Sequence, residues 1–469
     1  MNQQKILIIG GGISGLSTAR WLADSGVPVE LWEADQRLGG KIRSHRESGY
    51  LTENAAGILM NYRAEVDQQI NAAGLSEQKC SRGSDMRRYV VQGGRLCEVP
   101  MQVPALLASP LWSWRGKLRM ASELLVARGG DEQETVSQFI RRRFGSEILE
   151  KVMDPYVAGT LASDPEQANA ASVLPRMTAL ERRYGSITAG MLINRLLHRQ
   201  RANRAEAFSF QGGMGKLVEQ LANHPLIKRL SGTRATTLQL SGTGWQVGAT
   251  DRSGAQLSRQ VDQLVLATPA DATAGLLDGQ DARLARLLDA IEYAPLSVLH
   301  LGLARKQISH PLDGSGFLTP RREGLSFNGN LWMSSLFAGR APSGQVLLTS
   351  YIGGARHPER SNWNEAQALT YTLADLRRLI GLRGEPDYLR LVHHPRALPL
   401  YHGDYLQRSR QIRARVETLP GLHLVGNYLD GVSVRDRIVQ GSVTAQQILH
   451  SSRSESGAQA FSYRPATVG

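Results

Sequence analysis

Lys5-Ile6-Leu7-Ile8-Ile9 runs directly into Gly10-Gly11-Gly12-Ile13-Ser14-Gly15. An apolar run without alternation is the pattern of a strand buried on both faces of a parallel sheet. The loop matches G-x-G-x-x-G at Gly10, Gly12 and Gly15, and Leu16 to Ala23 continues as a helix with small residues where it packs on the strand. Gly10 permits the tight turn, Gly12 lets the backbone approach a pyrophosphate, and Gly15 allows close helix–strand packing. Ile13 and Ser14 stand at the helix N-terminus, which faces the phosphate charge. Val27 to Trp32 reads as a second apolar strand that ends at Glu33, an acid placed to accept two ribose hydroxyls. Strand, loop, helix, strand and acid in that order predict a dinucleotide site. The competing reading is a glycine-rich turn in some other α/β unit.

The rest of the chain sets the bounds. At 469 residues it exceeds one ordinary core, so two or three domains are expected. With 41% apolar and 21% charged residues, the composition is globular rather than disordered or fibrous. The net charge of +13 suits nucleic acid, anionic lipid or an anionic small substrate, and no nucleic-acid motif is present. Cys80 and Cys97 build no disulfide framework, which points to a reducing, cytosolic setting. The histidines are scattered, the adjacent His393 and His394 share neither a helix face nor a strand face, and no metal site is expected. The N-terminus does not read as a signal peptide, and no stretch reaches the roughly 18 to 20 apolar residues of a spanning helix. The expectation is a cytoplasmic protein, peripheral at most on the inner face of the membrane.

After Glu33 the chain reads Ala34-Asp35-Gln36-Arg37-Leu38-Gly39-Gly40-Lys41-Ile42-Arg43-Ser44. This resembles the E-x-x-x-R-x-G-G-x-x-x-S extension of the FAD-dependent amine oxidase superfamily. Its second glycine pair would pass close to the flavin side of the pyrophosphate, and Arg43 can offset phosphate charge. No Walker A motif competes, because Gly40-Lys41 precedes Ile42 and Gly215-Lys216 precedes Leu217.

Further along, Met86 to Val91 and Arg95 to Val99 flank Gly93-Gly94 as a hairpin. Helical runs are expected from Glu134 to Phe144, near 281–290, 364–380 and 404–418, and from Ile438 to Leu449. Thr236–Leu240 with Trp245–Ala249 reads as a second hairpin, and Leu264 to Pro269 as a strand ending at a crevice.

Four segments narrow the family: Arg88-Tyr89 with Gly93-Gly94-Arg95-Leu96; Asp154-Pro155-Tyr156-Val157-Ala158-Gly159; Glu181 with Gly185-Ser186; and Gly316 to Pro320 with Leu331 to Phe337, Arg340-Ala341-Pro342 and Tyr351 to Gly354. With the ending Gly426-Asn427-Tyr428-Leu429-Asp430-Gly431, they resemble the protoporphyrinogen/coproporphyrinogen oxidase family over about residues 5 to 450.

That resemblance implies an α/β fold: a discontinuous Rossmann-like FAD-binding domain (1–72, 205–285, 415–452), a mixed-sheet substrate domain (73–100, 286–414), a helical membrane-docking-like subdomain (101–204) and a polar tail (453–469). It implies non-covalent FAD held by Gly10, Gly12, Ile13, Ser14, Gly15, Glu33, Arg37, Gly39, Gly40, Lys41, Arg43, Ala55, Ala56, Gly57, Ile58, Ala235, Gly426, Asn427, Val432, Ser433 and Val434. It implies a porphyrinogen held by Leu318, Leu331 and Tyr351 as apolar plates and by Arg88 on a propionate, with molecular oxygen as the second substrate, hydrogen peroxide as product, and a homodimer to be tested. No catalytic base is assigned.

Two departures bear on the substrate. Glu53-Asn54-Ala55-Ala56 stands where many members have Glu-x-Gly-Pro, and Pro399-Leu400-Tyr401 where Pro-Gln-Tyr is usual. Another flavin amine oxidase, a carotenoid-type desaturase or a non-catalytic FAD-binding protein therefore stay open. Trp112 and Trp114 beside Arg115, Lys117 and Arg119 suit a membrane-interface belt or ordinary helical packing. Arg141-Arg142-Arg143 reads as a solvated face.

Overall fold

The computed structural model describes residues 4–81, 86–100, 105, 108–197, 205–242 and 244–454. The expected tail falls almost wholly outside these residues.

Ile6–Ile9 is the central strand of a five-stranded parallel sheet, in the order Ile227–Ser231, Val29–Glu33, Ile6–Ile9, Gln263–Leu266, Leu422–Leu424. Its side chains alternate between two cores. Ile6 and Ile8 pack beneath helices Ile13–Asp24 and Gly215–Ala222, while Leu7 and Ile9 join Trp245, Leu277 and Leu288 on the other side. Both faces are buried, which is why the run is continuously apolar. The final helix, Val434–Ser454, lies against Ile13–Asp24 so closely that a Cβ on Gly441 would come within 2.8 Å of Ser17 Oγ. An antiparallel sheet of Thr233–Ser241, Gly244–Asp251 and Gln256–Val261 covers the second face.

The second large sheet has seven strands, in the order Tyr388–Pro399, Tyr293–Ala304, Gln345–Gly353, Gly329–Trp332, Gly314–Leu318, Arg87–Gln92, Arg95–Glu98. One face carries Tyr89, Leu299, Leu301, Phe317, Trp332 and Leu348 into a core closed by helix Glu365–Ile380. The opposite face carries Val90, Leu318, Leu331 and Tyr351, with Val90 packed on Leu111 and Trp112. Lys79–Ser81, within the stretch assigned to the substrate domain, instead pairs with Glu206–Phe210 beside Leu59–Asn61. The second sheet is entered only after it.

The helical unit between them corrects two expectations. The three arginines are not one solvated face: Arg141 is exposed, Arg142 half-buried and Arg143 buried. Arg141 pairs with Glu166, Arg142 with Glu134 and Glu181, and the fully buried Arg143 with Glu123 and Glu181. Glu123 in turn accepts from Ser186 Oγ, Ile187 N and Thr188 N, so the network caps helix Ile187–Leu197. Trp112 is 4% exposed and packs with Val90 and Leu111, so it is core and not part of a surface belt. Trp114 is 70% exposed. Among the described residues no helix is long and apolar enough to cross a membrane, and no acidic, histidine and cysteine cluster is able to hold a metal.

Candidate cofactor and substrate site

The glycine loop is already shaped for a phosphate. Gly10 adopts φ +106°, and a Cβ on Gly15 would sit 2.0 Å from Gly10 O, so both positions demand glycine. Gly12 differs: a Cβ there would meet no heavy atom within 4 Å. It faces open space at the start of a helix with no side-chain cap and no acid in its first turn. The N–H groups of Ile13, Ser14 and Gly15 are thus placed to meet an anion. At the rim, the Glu33 carboxylate accepts from Gly11 N at 2.7 Å and Asp35 N at 2.8 Å, which fixes it beside the loop for a ribose. Asp35 O also accepts from Gly232 N, which brings the strand bearing Ala235 to the same rim.

The second glycine pair closes over the first. Gly39 N donates to Gly11 O at 2.7 Å, and a Cβ on Gly40 would lie 3.4 Å from Gly12 Cα. Arg37 holds this turn through the carbonyls of Leu38, Gly40 and Ile42, so its contacts here shape the loop. Lys41 reaches the carbonyls of Arg396 and Ala397 in the second sheet. Burial, with Arg396 adding repulsion, pushes its ammonium down to about 8. Arg43 contributes its carbonyl to Asn54 N at 2.8 Å.

Glu53 to Ile58 joins the two domains. Glu53 is buried and accepts from Arg340 Nη1 at 2.6 Å and Met214 N at 2.9 Å, and Ser44 Oγ donates to it at 2.6 Å. His300 Nε2 donates to Glu53 O at 3.0 Å, and its Nδ1 takes the Thr349 hydroxyl at 2.9 Å. Burial pushes His300 down to about 3, so the ring is neutral. Asn54 is gripped by Arg390 Nη2 at 2.7 Å and His394 Nε2 at 2.7 Å. Ala56 packs on the first core, Ile58 on a cluster with Leu331, and a Cβ on Gly57 would come within 3.0 Å of Met333 Cε. At the far end, fully buried Arg437 binds the carbonyls of Gly426 and Leu429, fixing the loop through Asn427. Ser433 N and Oγ exchange hydrogen bonds with Asp436 and turn Val432 to Val434 into the last helix.

Strand register brings the substrate candidates together. Gly316 opposes Leu331, Leu318 opposes Gly329, and Gly329 opposes Tyr351, so Leu318, Leu331 and Tyr351 share one face. Leu318 also matches Val90 of the parallel neighbour, which puts Val90 and Arg88 on that face. Arg87 points the other way, to Asp313. Tyr351, Thr349 and His300 meet Glu53 and Gly57 across a narrow crevice. Burial, with the Glu53 carboxylate adding to it, raises the Tyr351 phenol to about 12. Burial alone draws the half-buried Arg88 guanidinium downward, a cost that a bound carboxylate would offset. Tyr401 stacks on Tyr405 with ring centroids 4.2 Å apart and donates to Asn427 O.

Reasoning from sequence missed the buttress of Arg340, His300, Arg390, His394 and Arg437. Arg340 lay within a quoted motif, but only its partner across 287 positions gives it a role. A parallel sheet with an uncapped, glycine-lined helix start, an acid at the ribose rim and an apolar sheet face opposite define an FAD-dependent oxidoreductase of two intimately joined domains.

The model of the flavin-containing amine oxidoreductase family matches residues 13–449, and the chain belongs to that family. It is similar to mitochondrial protoporphyrinogen oxidase of Nicotiana tabacum, 28% identical over 95% of each chain. It is also similar to coproporphyrinogen III oxidase of Bacillus subtilis (strain 168), 25% identical over 95% of this chain and 98% of that one. A provisionally named protoporphyrinogen oxidase from Exiguobacterium sp. 255-15 superposes with a TM-score of 0.78 at 22% identity, covering 96% of this chain and 100% of that one. FAD is the cofactor, and when bound it supplies the hydride-accepting ring. The glycine loop and Glu33 are the residues that would hold its phosphates and ribose.

Proposed function

We propose that this enzyme oxidises a porphyrinogen to the porphyrin in haem biosynthesis, passing the electrons to molecular oxygen to give hydrogen peroxide. The observation that carries it is the common face of Arg88, Leu318, Leu331 and Tyr351, whose Tyr351 end lines a crevice with Glu53 and Gly57. A flat macrocycle needs apolar plates and a cation for its propionates, and this face offers both. The relatives named for protoporphyrinogen and coproporphyrinogen III support the same class. Among the described residues on this face, Tyr351 stays protonated at neutral pH and His300 has both ring nitrogens engaged, so neither is assigned as a general base.

Arg88→Ala tests the reading. It should raise KM for a porphyrinogen and lower kcat/KM roughly 10- to 150-fold, the loss of about 1.5–3 kcal/mol from one charge-assisted contact. FAD content should be unchanged, and Arg88→Lys should recover part of the loss. Unaltered turnover in FAD-loaded Arg88→Ala would remove the propionate role.

Peripheral attachment belongs to the same proposal and falls within the helical subdomain 101–204 expected to dock, with Trp114 exposed and Trp112 not. Leu192, Leu196 and Leu197 are exposed on helix Ile187–Leu197, beside exposed Leu124 and Leu125. Leu196→Glu with Leu197→Glu should abolish flotation with anionic vesicles, while retained flotation would contradict this surface.

A further inference from the structure

We propose that Arg176 and Arg435, held on the two faces of the Tyr62 ring, form a second carboxylate-binding site beside the substrate face, separate from Arg88. The inference rests on the porphyrinogen reading and deepens it: a second cationic group suits a macrocycle with carboxylates on more than one edge.

Three separate parts of the chain meet at this cluster. Tyr62 follows strand Leu59–Asn61, four residues beyond Ile58; Arg435 follows Val434 at the start of the last helix; Arg176 comes from helix Pro175–Tyr184 of the helical unit. Tyr62 and Arg435 are thus direct extensions of the two segments that flank the cofactor. Arg176 Cζ lies 3.9 Å from the Tyr62 ring centroid and Arg435 Cζ 4.2 Å. Two guanidinium groups at those heights would overlap on one face, so they take opposite faces, each attracted by the ring. Arg435 is tied down, pairing with Asp436 at 2.8 Å and donating to Met60 O at 3.3 Å. Arg176 is exposed, and among the described residues no carboxylate lies within 4.0 Å of it. The cluster therefore holds two cations against one carboxylate.

Helix Asp154–Leu161 ties this cluster to the substrate face. Gly159 meets the sheet so closely that a Cβ on it would come within 2.4 Å of Leu318 Cδ2. Tyr156, three residues earlier and hence on the same side of the helix, has Arg435, Tyr62 and Asp436 as its charged and phenolic neighbours. One helix face thus spans from Leu318 to Arg435. Arg88 stands on the strand adjacent to Leu318, two residues before its partner Val90. A ring at this face would meet two separate cationic groups, Arg88 and the Arg176–Arg435 pair. Protoporphyrinogen IX carries its two propionates together on one edge, whereas coproporphyrinogen III carries four around the ring. Two separate cationic groups match the second.

The test uses the FAD-loaded full chain and Arg176→Gln, with kcat and KM measured for both porphyrinogens and fluorescence titrations of the two oxidised porphyrins. KM for coproporphyrinogen III and Kd for coproporphyrin III should rise about 10-fold with kcat within twofold. The protoporphyrin values should move less than twofold, and Arg176→Lys should recover part of the coproporphyrin loss. Equal shifts for both substrates, or none, in an enzyme whose wild type oxidises a porphyrinogen would overturn the second site and leave the oxidase reading standing. A wild type that oxidises neither overturns both.

Discussion

Arg340 and Glu53 form a buried ion pair, Nη1 to Oε1 at 2.6 Å, with side chains 1% and 3% exposed. It links the strip that runs along the cofactor to the second sheet's own loop, and Arg340 Nη2 also donates to Ser209 Oγ at 2.5 Å. The second sheet is therefore held against the Glu53 strip by charge as well as by apolar packing.

Removing one partner leaves the other charge buried. Arg340→Met should cost about 3–5 kcal/mol, read by urea unfolding and a lowered Tm. Adding Glu53→Gln should restore a large part, because the double variant buries no lone carboxylate. A double variant as unstable as the single one would show that the arginine acts through packing instead.

The two glycines of the loop should separate folding from cofactor binding. Gly12→Ala introduces a methyl into the open space of the phosphate cradle, so stability without FAD should change by less than about 0.5 kcal/mol while FAD affinity falls at least tenfold. Gly15→Ala drives a methyl into Gly10 O and should fail to fold. Isothermal titration with FAD and apoprotein unfolding check both. An unaffected Kd in Gly12→Ala would move the pyrophosphate away from this loop.

His300 should shape the acid limb of stability. Its pKa is 6.5 in the unfolded chain and about 3 when folded, because burial disfavours the cation. Between those values the unfolded chain binds a proton that the native ring does not, so stability falls as pH falls. From pH 7.5 to pH 5 this one group removes on the order of 2 kcal/mol. His300→Gln retains an N–H for Glu53 O and should show a shallower acid limb in urea unfolding at the two pH values. Identical pH dependence in both proteins would contradict a neutral, buried His300.

The cofactor half of this site was legible in sequence because its chemistry is local. A continuous apolar strand, glycines at fixed spacing and Glu33 all act within one βαβ unit. That Arg88, Leu318, Leu331 and Tyr351 share one sheet face was legible only through family resemblance, since they meet through a seven-stranded register that no local pattern encodes. Trp112 was ambiguous for a physical reason: an indole beside basic residues serves equally in a core or at a membrane interface. Arg142 and Arg143 looked solvated because Glu123 and Glu181 lie in other helical segments and Glu134 in the turn before their own helix. The same holds for Tyr62, whose two cations come from residues 176 and 435.

The central claim is that this FAD enzyme takes its electrons from a porphyrinogen. The direct measurement is anaerobic mixing of the oxidised holoenzyme with coproporphyrinogen III or protoporphyrinogen IX, following the flavin absorbance and the appearance of porphyrin. Rapid bleaching with stoichiometric porphyrin, reversed by oxygen with release of hydrogen peroxide, is the predicted result. A flavin that stays yellow with both porphyrinogens while bleaching with an amine would contradict the account.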